Sequence, residues 1–284
     1  MKWSLRTQEM DLATFKVMGI LNLTPDSFSD GGRYTELDRA LARAEQMEQE
    51  GAHLLDLGAE STRPGATPVD PETEWRRLGP VLKALSGRVT LPISVDTRHG
   101  LTARRALDLG VELINDISMG QSEDLLQAVA ESGAGYVLMH MRGTPEHMMA
   151  LARYDTLIQE VRREMRSQYD RLLELGIRPE QVCLDPGFGF AKTPRQSVEL
   201  LMHLEELVFA ERPLLVGLSR KRMLRESVGG REELLEAASV SANLLARRHG
   251  ALIFRVHDVA VTVQALQLDE LLTKQGRQGE ENRP

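Results

Sequence analysis

Cysteine is nearly missing from this sequence of 284 residues: there is one, Cys183. A lone cysteine closes no disulfide within the chain, so the fold relies on packing, and a reducing compartment is expected. Cys183 lies in an apolar run, which assigns it to the core. Aromatic residues make up only 4%, so branched aliphatic side chains must fill the interior. No apolar run approaches the ~20 residues needed to span a bilayer. The opening MKWSLRTQEMDLATF lacks the apolar centre of a signal peptide. A cytoplasmic protein with no membrane partner is expected. The formal net charge of -7 argues against nucleic acid as a partner. No Pro-rich linker, low-complexity block or composition shift divides the chain, which predicts one domain. His140 and His147 stand seven apart, a spacing that does not suggest zinc. The DPGFGFAK stretch is not a Walker loop, because Ala191 stands where a glycine is required.

What is present is a set of eight short apolar runs, near 17–21, 52–57, 91–95, 111–114, 135–139, 182–184, 214–218 and 251–256. Between several of them lie segments with helical spacing of apolar residues. LDRALARAEQMEQEG stops at Gly51, TLIQEVRREMRSQYDRLLELG stops at Gly176, and VAVTVQALQLDELLTK lies near the end. Alternating strands and helices imply parallel strands joined by right-handed crossovers. Eight units fit a (β/α)8 TIM barrel, which typically takes about 250 residues, and six or seven would fit an open doubly wound sheet. The count favours the barrel. The expected division is an N-terminal extension over 1–14, a barrel over 15–273 and a polar, disordered tail over 274–284.

The eight runs each end at or near a polar residue: Asn22, Asp56, Asp96, Asn115, His140, Asp185, Ser219 with Arg220 and Lys221, and Arg255 with His257. Polar groups delivered repeatedly at the same end of buried strands imply one shared rim. A carboxylate such as Asp185 can accept two parallel N–H bonds from a guanidine-like edge. Asn115 can donate and accept, and Lys221 can donate to a ring oxygen or nitrogen. Together with Asp96 they suit a flat heterocycle with mixed edges. Arg255 and His257, two apart on one strand end, point the same way. With Arg63 they could clamp phosphate or pyrophosphate. Asn22 could hold Mg²⁺ together with substrate phosphates. Plainer readings compete: an Asp96–Arg98 ion pair, Asp56 holding loop backbone, Asn22 as a turn former, and Arg255 in a surface salt bridge. Two loops, NLTPDSFSDGGRYTE and AESTRPGATPVDPET, exceed the usual ~2–6 residues of such connections and read as lids. Met139 and Met141 read as packing.

At this point MGILNLTPDSFSDGGRY and STRPGA closely resemble the paired signatures of dihydropteroate synthase. SVDT, NDIS, LMHM followed by RGTP, LDPGFGF, GLSRK and FRVHDV add further matches in order, from about residue 15 to 265. The resemblance implies a TIM barrel, usually dimeric, in folate biosynthesis. Such enzymes join 4-aminobenzoate to 6-hydroxymethyl-7,8-dihydropterin diphosphate, releasing pyrophosphate, with Mg²⁺ required. By similarity, Asp96, Asn115, Asp185 and Lys221 would hold the pterin, and Asn22 would meet the Mg²⁺–pyrophosphate group. Thr62, Arg63, Arg255 and His257 would contact the diphosphate. Phe190, Pro64 and the stretch from Ser61 to Arg63 would shape the aminobenzoate site.

Positive charge developing on the CH₂ as pyrophosphate leaves can delocalise into the electron-rich ring, so a dissociative, S_N1-like step is expected. It would be assisted by preorganised charge around Asp96, Asp185, Lys221 and Arg63 rather than by a strong base. Three positions depart from the family pattern. Arg222 stands where Ser is usual near the aminobenzoate carboxylate, Ala191 stands where Gly is common, and Arg142 stands where Gln is common. Arg222 keeps open a catalytically silent, pterin-binding homologue. A pterin-dependent methyltransferase on a related barrel would have no need of the STRPGA loop.

Overall fold

The structure is a computed structural model that describes residues 1–24, 33–63 and 65–281. Pro64 and most of the first long loop therefore lie outside the described residues. A hairpin opens the chain, with β1 (Lys2–Ser4) antiparallel to β2 (Glu9–Asp11). Eight parallel strands follow: β3 (Lys16–Asn22), β4 (Leu54–Gly58), β5 (Ile93–Asp96), β6 (Leu113–Asp116), β7 (Gly135–Met139), β8 (Val182–Asp185), β9 (Leu215–Val216) and β10 (Ile253–Val256). Their order, β8-β7-β6-β5-β4-β3-β10-β9, returns on itself through a parallel bridge between Leu184 and Leu214. This is the expected eight-stranded TIM barrel, and each strand falls within or next to an apolar run read from the sequence.

Helices connect the strands: α1 (Arg33–Gln49), α2 (Pro71–Leu85), α3 (Gly100–Asp108), α4 (Glu123–Ser132), α5 (Leu157–Glu174), α6 (Pro194–Met202), α7 (Arg222–Ser227) and α8 (Leu235–Arg248). Their ends carry local signals. Asp70 caps α2 by accepting from the Thr73 N–H at 2.9 Å, ahead of Pro71 in the first turn. Thr193 and Gln196 form a capping box on α6. The last helix, α9 (Val259–Glu281), runs into the stretch 274–284 for which the polar composition predicted disorder. Its residues 271–275 are all exposed, so no core packing is involved there. No helix of the described residues is long and apolar enough to cross a membrane.

Alternation along the strands sorts side chains into two cores. Outward residues such as Leu55, Leu57, Val95, Ile114, Leu138, Leu184, Val216 and Phe254 meet the helices in one large cluster. Inward residues near the strand starts, Met18, Leu54, Leu113, Val137, Cys183, Leu215 and Ile253, form a second cluster inside the barrel. The first hairpin closes this end. Trp3, Leu5 and Leu12 join the inner cluster, and the fully buried Trp3 donates from Nε1 to the Gln181 carbonyl at 2.8 Å. The N-terminal segment thus stoppers the bottom of the barrel.

One step of two residues up the same strands replaces hydrocarbon by polar groups. Leu54 is followed by Asp56, Leu113 by Asn115, Cys183 by Asp185 and Ile253 by Arg255, while on β5 the buried hydroxyl of Ser94 precedes Asp96. Residues i and i+2 share a face, so these five side chains form the layer directly above the apolar plug. Backbone register sets them side by side, Asp96 opposite Asn115 and Gly58 opposite Asp96.

Candidate active site

The polar layer is organised by one guanidinium. Arg255 donates from Nε to Asp56 Oδ2 and from Nη2 to Asp96 Oδ2, both at 2.6 Å. Asn115 donates from Nδ2 to the same Asp56 oxygen at 3.0 Å. Asp56 Oδ1 and Asn115 Oδ1 are buried and have no partner among the described residues. Asp185 accepts from the Gly187 N–H at 2.7 Å through one oxygen. Unpaired acceptors in a buried floor are costly unless a ligand brings donors. The floor therefore suits a ligand edge rich in N–H groups.

Charge in this layer is strained by burial. Burial pushes the Asp96 carboxyl up to about 7, Arg255 opposing the shift and Asp56, Glu74 and Glu60 adding to it. Burial also raises Asp185, against the pull of the Gly187 N–H, Lys221 and Arg255. Lys221 is drawn down to about 8 by burial, with Asp185 and Asp96 favouring its charge. Arg255 suffers burial too, but Asp56 and Asp96 outweigh it and raise its pKa.

Beside this floor opens a cavity of about 420 Å³. Thr62 and Arg63 come to it from the loop after β4, Gly189 and Phe190 from the loop after β8, and Lys221 and Arg222 from the start of α7. The Lys221 ammonium lies 4.3 Å from the centre of the Phe190 ring, a cation–π arrangement that links the two regions. Gly187 makes the Phe190 loop possible. Its φ is +69°, and a Cβ there would stand 2.1 Å from the His140 carbonyl oxygen.

Every described site residue read from the sequence lies at or near the C-terminal ends of the strands. Asn22 ends β3 and is exposed. Asp96 ends β5, Asn115 lies in β6, Asp185 ends β8, Lys221 precedes α7, and Arg255 and His257 lie in and just beyond β10. Of the three residues anticipated as an anion clamp, Arg255 and His257 hold protein partners. A guanidinium inside the barrel lowers its energy by pairing with the nearest carboxylates, and Arg255 uses Nε and Nη2 in this way. Among the described residues only its Nη1 is left for an anion. His257 pairs through Nδ1 with Ser219 Oγ at 3.0 Å, and burial lowers its pKa to about 4. Arg63 stands apart in the cavity wall.

Three plainer readings fail. Arg98 pairs with Glu60, not Asp96, at 3.2 and 2.9 Å. Asp56 serves Arg255 and Asn115 rather than loop backbone. Arg255 pairs with Asp56 and Asp96 inside the barrel rather than at the surface. The loop after β4 is anchored at its base: Ala59 accepts from Arg77 at 2.7 Å, and His99 Nε2 lies 3.1 Å from the Val69 carbonyl oxygen. Met139, Met141 and Met148 pack with Phe190 and Ala191, as expected of packing residues. Lys192, which the sequence marks only as the lysine of a failed Walker match, is buried behind the Phe190 loop. An uncharged neighbourhood around a lysine would have been its only signal, and FGFAK shows one.

A family described as pterin binding enzyme matches residues 18–257. The dihydropteroate synthase of Neisseria meningitidis serogroup C is 44% identical over 276 residues, covering 95% of this chain and 97% of that protein. A crystal structure of the Yersinia pestis dihydropteroate synthase with a sulfonamide drug complex superposes with a TM-score of 0.90 at 41% identity, over 96% of this chain and 100% of that one. The Xanthomonas albilineans dihydropteroate synthase with 4-aminobenzoic acid gives 0.88 at 41% identity, over 100% and 99%.

Proposed function

This chain belongs to the dihydropteroate synthase family of pterin-binding enzymes, and on that premise we propose how its own residues condense 6-hydroxymethyl-7,8-dihydropterin diphosphate with 4-aminobenzoate. The observation that carries the reading is the buried acceptor floor under the cation-lined cavity. Asp56 Oδ1 and Asn115 Oδ1 have no partner among the described residues, and Asp96 and Asp185 flank them. A pterin edge bearing several N–H groups satisfies these acceptors, whereas a ligand without them leaves buried groups unpaired and is rejected. Lys221 donates to the acceptor side of the ring.

The diphosphate arm then extends toward Asn22, Thr62, Arg63, the open edge of Arg255, and His257. The bond between the CH₂ carbon and the diphosphate oxygen breaks, and its electron pair leaves with pyrophosphate. Asp96 and Asp185 stabilise the positive charge that spreads into the ring, and Arg63 and Arg255 stabilise the departing anion. The 4-aminobenzoate nitrogen, a neutral nucleophile, attacks the CH₂ and then loses a proton. Phe190 forms the wall against the arylamine, and closure of the loops excludes the water that would otherwise trap the cation.

Magnesium fits Asn22 only as a shared ion. Among the described residues no group of three or more His, Cys, Asp or Glu could hold a metal, and one exposed amide suits a cation carried mainly by phosphate oxygens and water. Bound there, Mg²⁺ would neutralise charge on the leaving pyrophosphate. A homodimer in the cytoplasm completes the proposal. Leu268, Leu271 and Leu272, exposed on α9, supply an apolar face for a second copy. No observation favours the silent homologue.

The test is a coupled pyrophosphate assay with both substrates, with and without Mg²⁺. Release that needs the arylamine and the metal supports the proposal. Pterin binding without arylamine-dependent release overturns it.

A further inference from the structure

Lys192 is 1% exposed, and the reaction above does not use it. Its Nζ has three neighbours: His140 Nδ1 at 2.8 Å, the Phe190 carbonyl at 3.0 Å and the Gly187 carbonyl at 3.2 Å. An ammonium group has three donors and no acceptor, so all three of its protons are placed. His140 must accept at Nδ1 and therefore carries its proton on Nε2, which faces Glu164 at 3.1 Å. Burial keeps this imidazole neutral, its pKa lowered to about 3.

From Glu164 the network returns to its origin. Glu164 accepts from Arg142 Nε at 3.0 Å, and Glu160 accepts from Arg142 Nη2 at 2.8 Å. The Arg142 guanidinium lies over the Tyr154 ring at 3.9 Å. The Tyr154 hydroxyl donates to the Ala191 carbonyl at 3.0 Å. Three grips, on the carbonyls of Gly187, Phe190 and Ala191, thus hold one loop. Two of the departures from the family pattern, Arg142 and Ala191, sit in the same circuit.

The loop needs holding. Ala191 has φ +48°, a left-handed conformation that a residue with a Cβ adopts only at a cost. What the loop presents is Phe190, whose ring faces the Lys221 ammonium and lines the cavity. We propose that Lys192 is a positioning residue for the arylamine substrate: its ammonium group locks the Gly187–Ala191 loop so that Phe190 forms the wall on which the aminobenzoate ring rests. The inference depends on the dihydropteroate synthase reading of the site.

Loss of the Lys192 proton leaves two donors for three acceptors, so one grip is released. Burial draws Lys192 down to about 7, with Asp185 and Glu164 favouring its charge and Arg142 and Lys221 opposing it. His140 and Tyr154 complete its surroundings, the first kept neutral by burial and the second held protonated because burial raises its pKa. The clamp is complete below about pH 7 and weakens as pH rises through that value.

The experiment compares the wild-type enzyme with Lys192→Met. It measures kcat and both KM values between about pH 6 and 7.5, with hydrogen exchange of the loop amides. The aminobenzoate KM is expected to rise about tenfold at the acid end, equivalent to about 1.4 kcal/mol, while the pterin diphosphate KM stays within about twofold. The wild-type aminobenzoate KM should climb across this range, and that climb should vanish in the variant. Amides of 187–191 should lose protection while those of α5 keep theirs. Equal changes in both KM values, or a climb that survives in Lys192→Met, would overturn the proposal. Should Lys192→Met fail to fold, Tyr154→Phe, which removes the grip on the Ala191 carbonyl, and Arg142→Gln replace it. Each should raise the aminobenzoate KM alone, and an unchanged ratio of the two KM values would overturn the proposal as well. Wild-type enzyme that releases no pyrophosphate would refute the reading of the site, whereas the loop-protection result would still judge the clamp.

Discussion

Arg255 on β10 reaches across the barrel to Asp96 on β5, its Nη2 2.6 Å from Oδ2. Its Nε holds Asp56 at the same distance. One guanidinium therefore governs two buried carboxylates, with a third, Asp185, near enough to act on its charge. Removal of this cation should leave the carboxylates uncompensated. Arg255→Met is expected to cost about 3–5 kcal/mol of stability, the usual penalty for breaking a buried pair. Urea denaturation would measure it, and a second change, Asp96→Asn, should restore part of the loss. No recovery in the double variant would show that the two residues are not energetically coupled.

Activity should depend on pH through the same layer. Asp96 is raised to about 7, so its charged form is present above that pH and lost below it. Lys221 is lowered to about 8, so its charged form is present below that pH and lost above it. Both charges coexist only in the narrow interval between. The kcat/KM for pterin diphosphate should be bell-shaped with its maximum there, since this quantity reports the free enzyme. A profile flat from about pH 6 to 9 would contradict the assignment.

Lys221→Ala should weaken pterin binding by about 10- to 100-fold, matching the roughly 1.5–3 kcal/mol of a hydrogen bond to a charged group. Calorimetric titration with the pterin measures this directly. An unchanged affinity would remove Lys221 from the pterin site.

Arg222 lines the cavity but points part of its charge at Glu226, 2.8 Å away. Arg222→Ser should alter the aminobenzoate KM and sulfonamide inhibition by more than about threefold, equivalent to about 0.65 kcal/mol or above, with pterin affinity nearly constant. Steady-state kinetics with both ligands decides the matter, and equal effects on the two would refute it.

Trp3 plugs the far end of the barrel, so its effect should fall on stability alone. Trp3→Ala is expected to cost about 3–5 kcal/mol. Chemical denaturation should record that loss while both KM values stay within about twofold of the wild type.

Much of the fold was legible in the chain because strand and helix periods are local. Each apolar run became a strand, and the polar residue at its end, such as Asn22, Asp96 or Asp185, became part of one rim. The hairpin at Trp3 was harder to read. Two strands of three residues carry almost no periodic signal, and what orders them is the open end of a barrel built from residues far along the chain.

The site was legible as a set of members but not as a set of pairs. Sequence alone determined that Asp56, Asp96, Asn115, Asp185 and Arg255 face one mouth, because alternation along a strand decides which side each residue takes. Only the tertiary structure decided that Arg255 serves Asp56 and Asp96, that Arg98 turns to Glu60, and that Lys192 ties down the loop bearing Phe190. For Arg255, partner choice depends on distances across the barrel, between residues 159 and 199 positions apart, and closure of the sheet is what sets those distances.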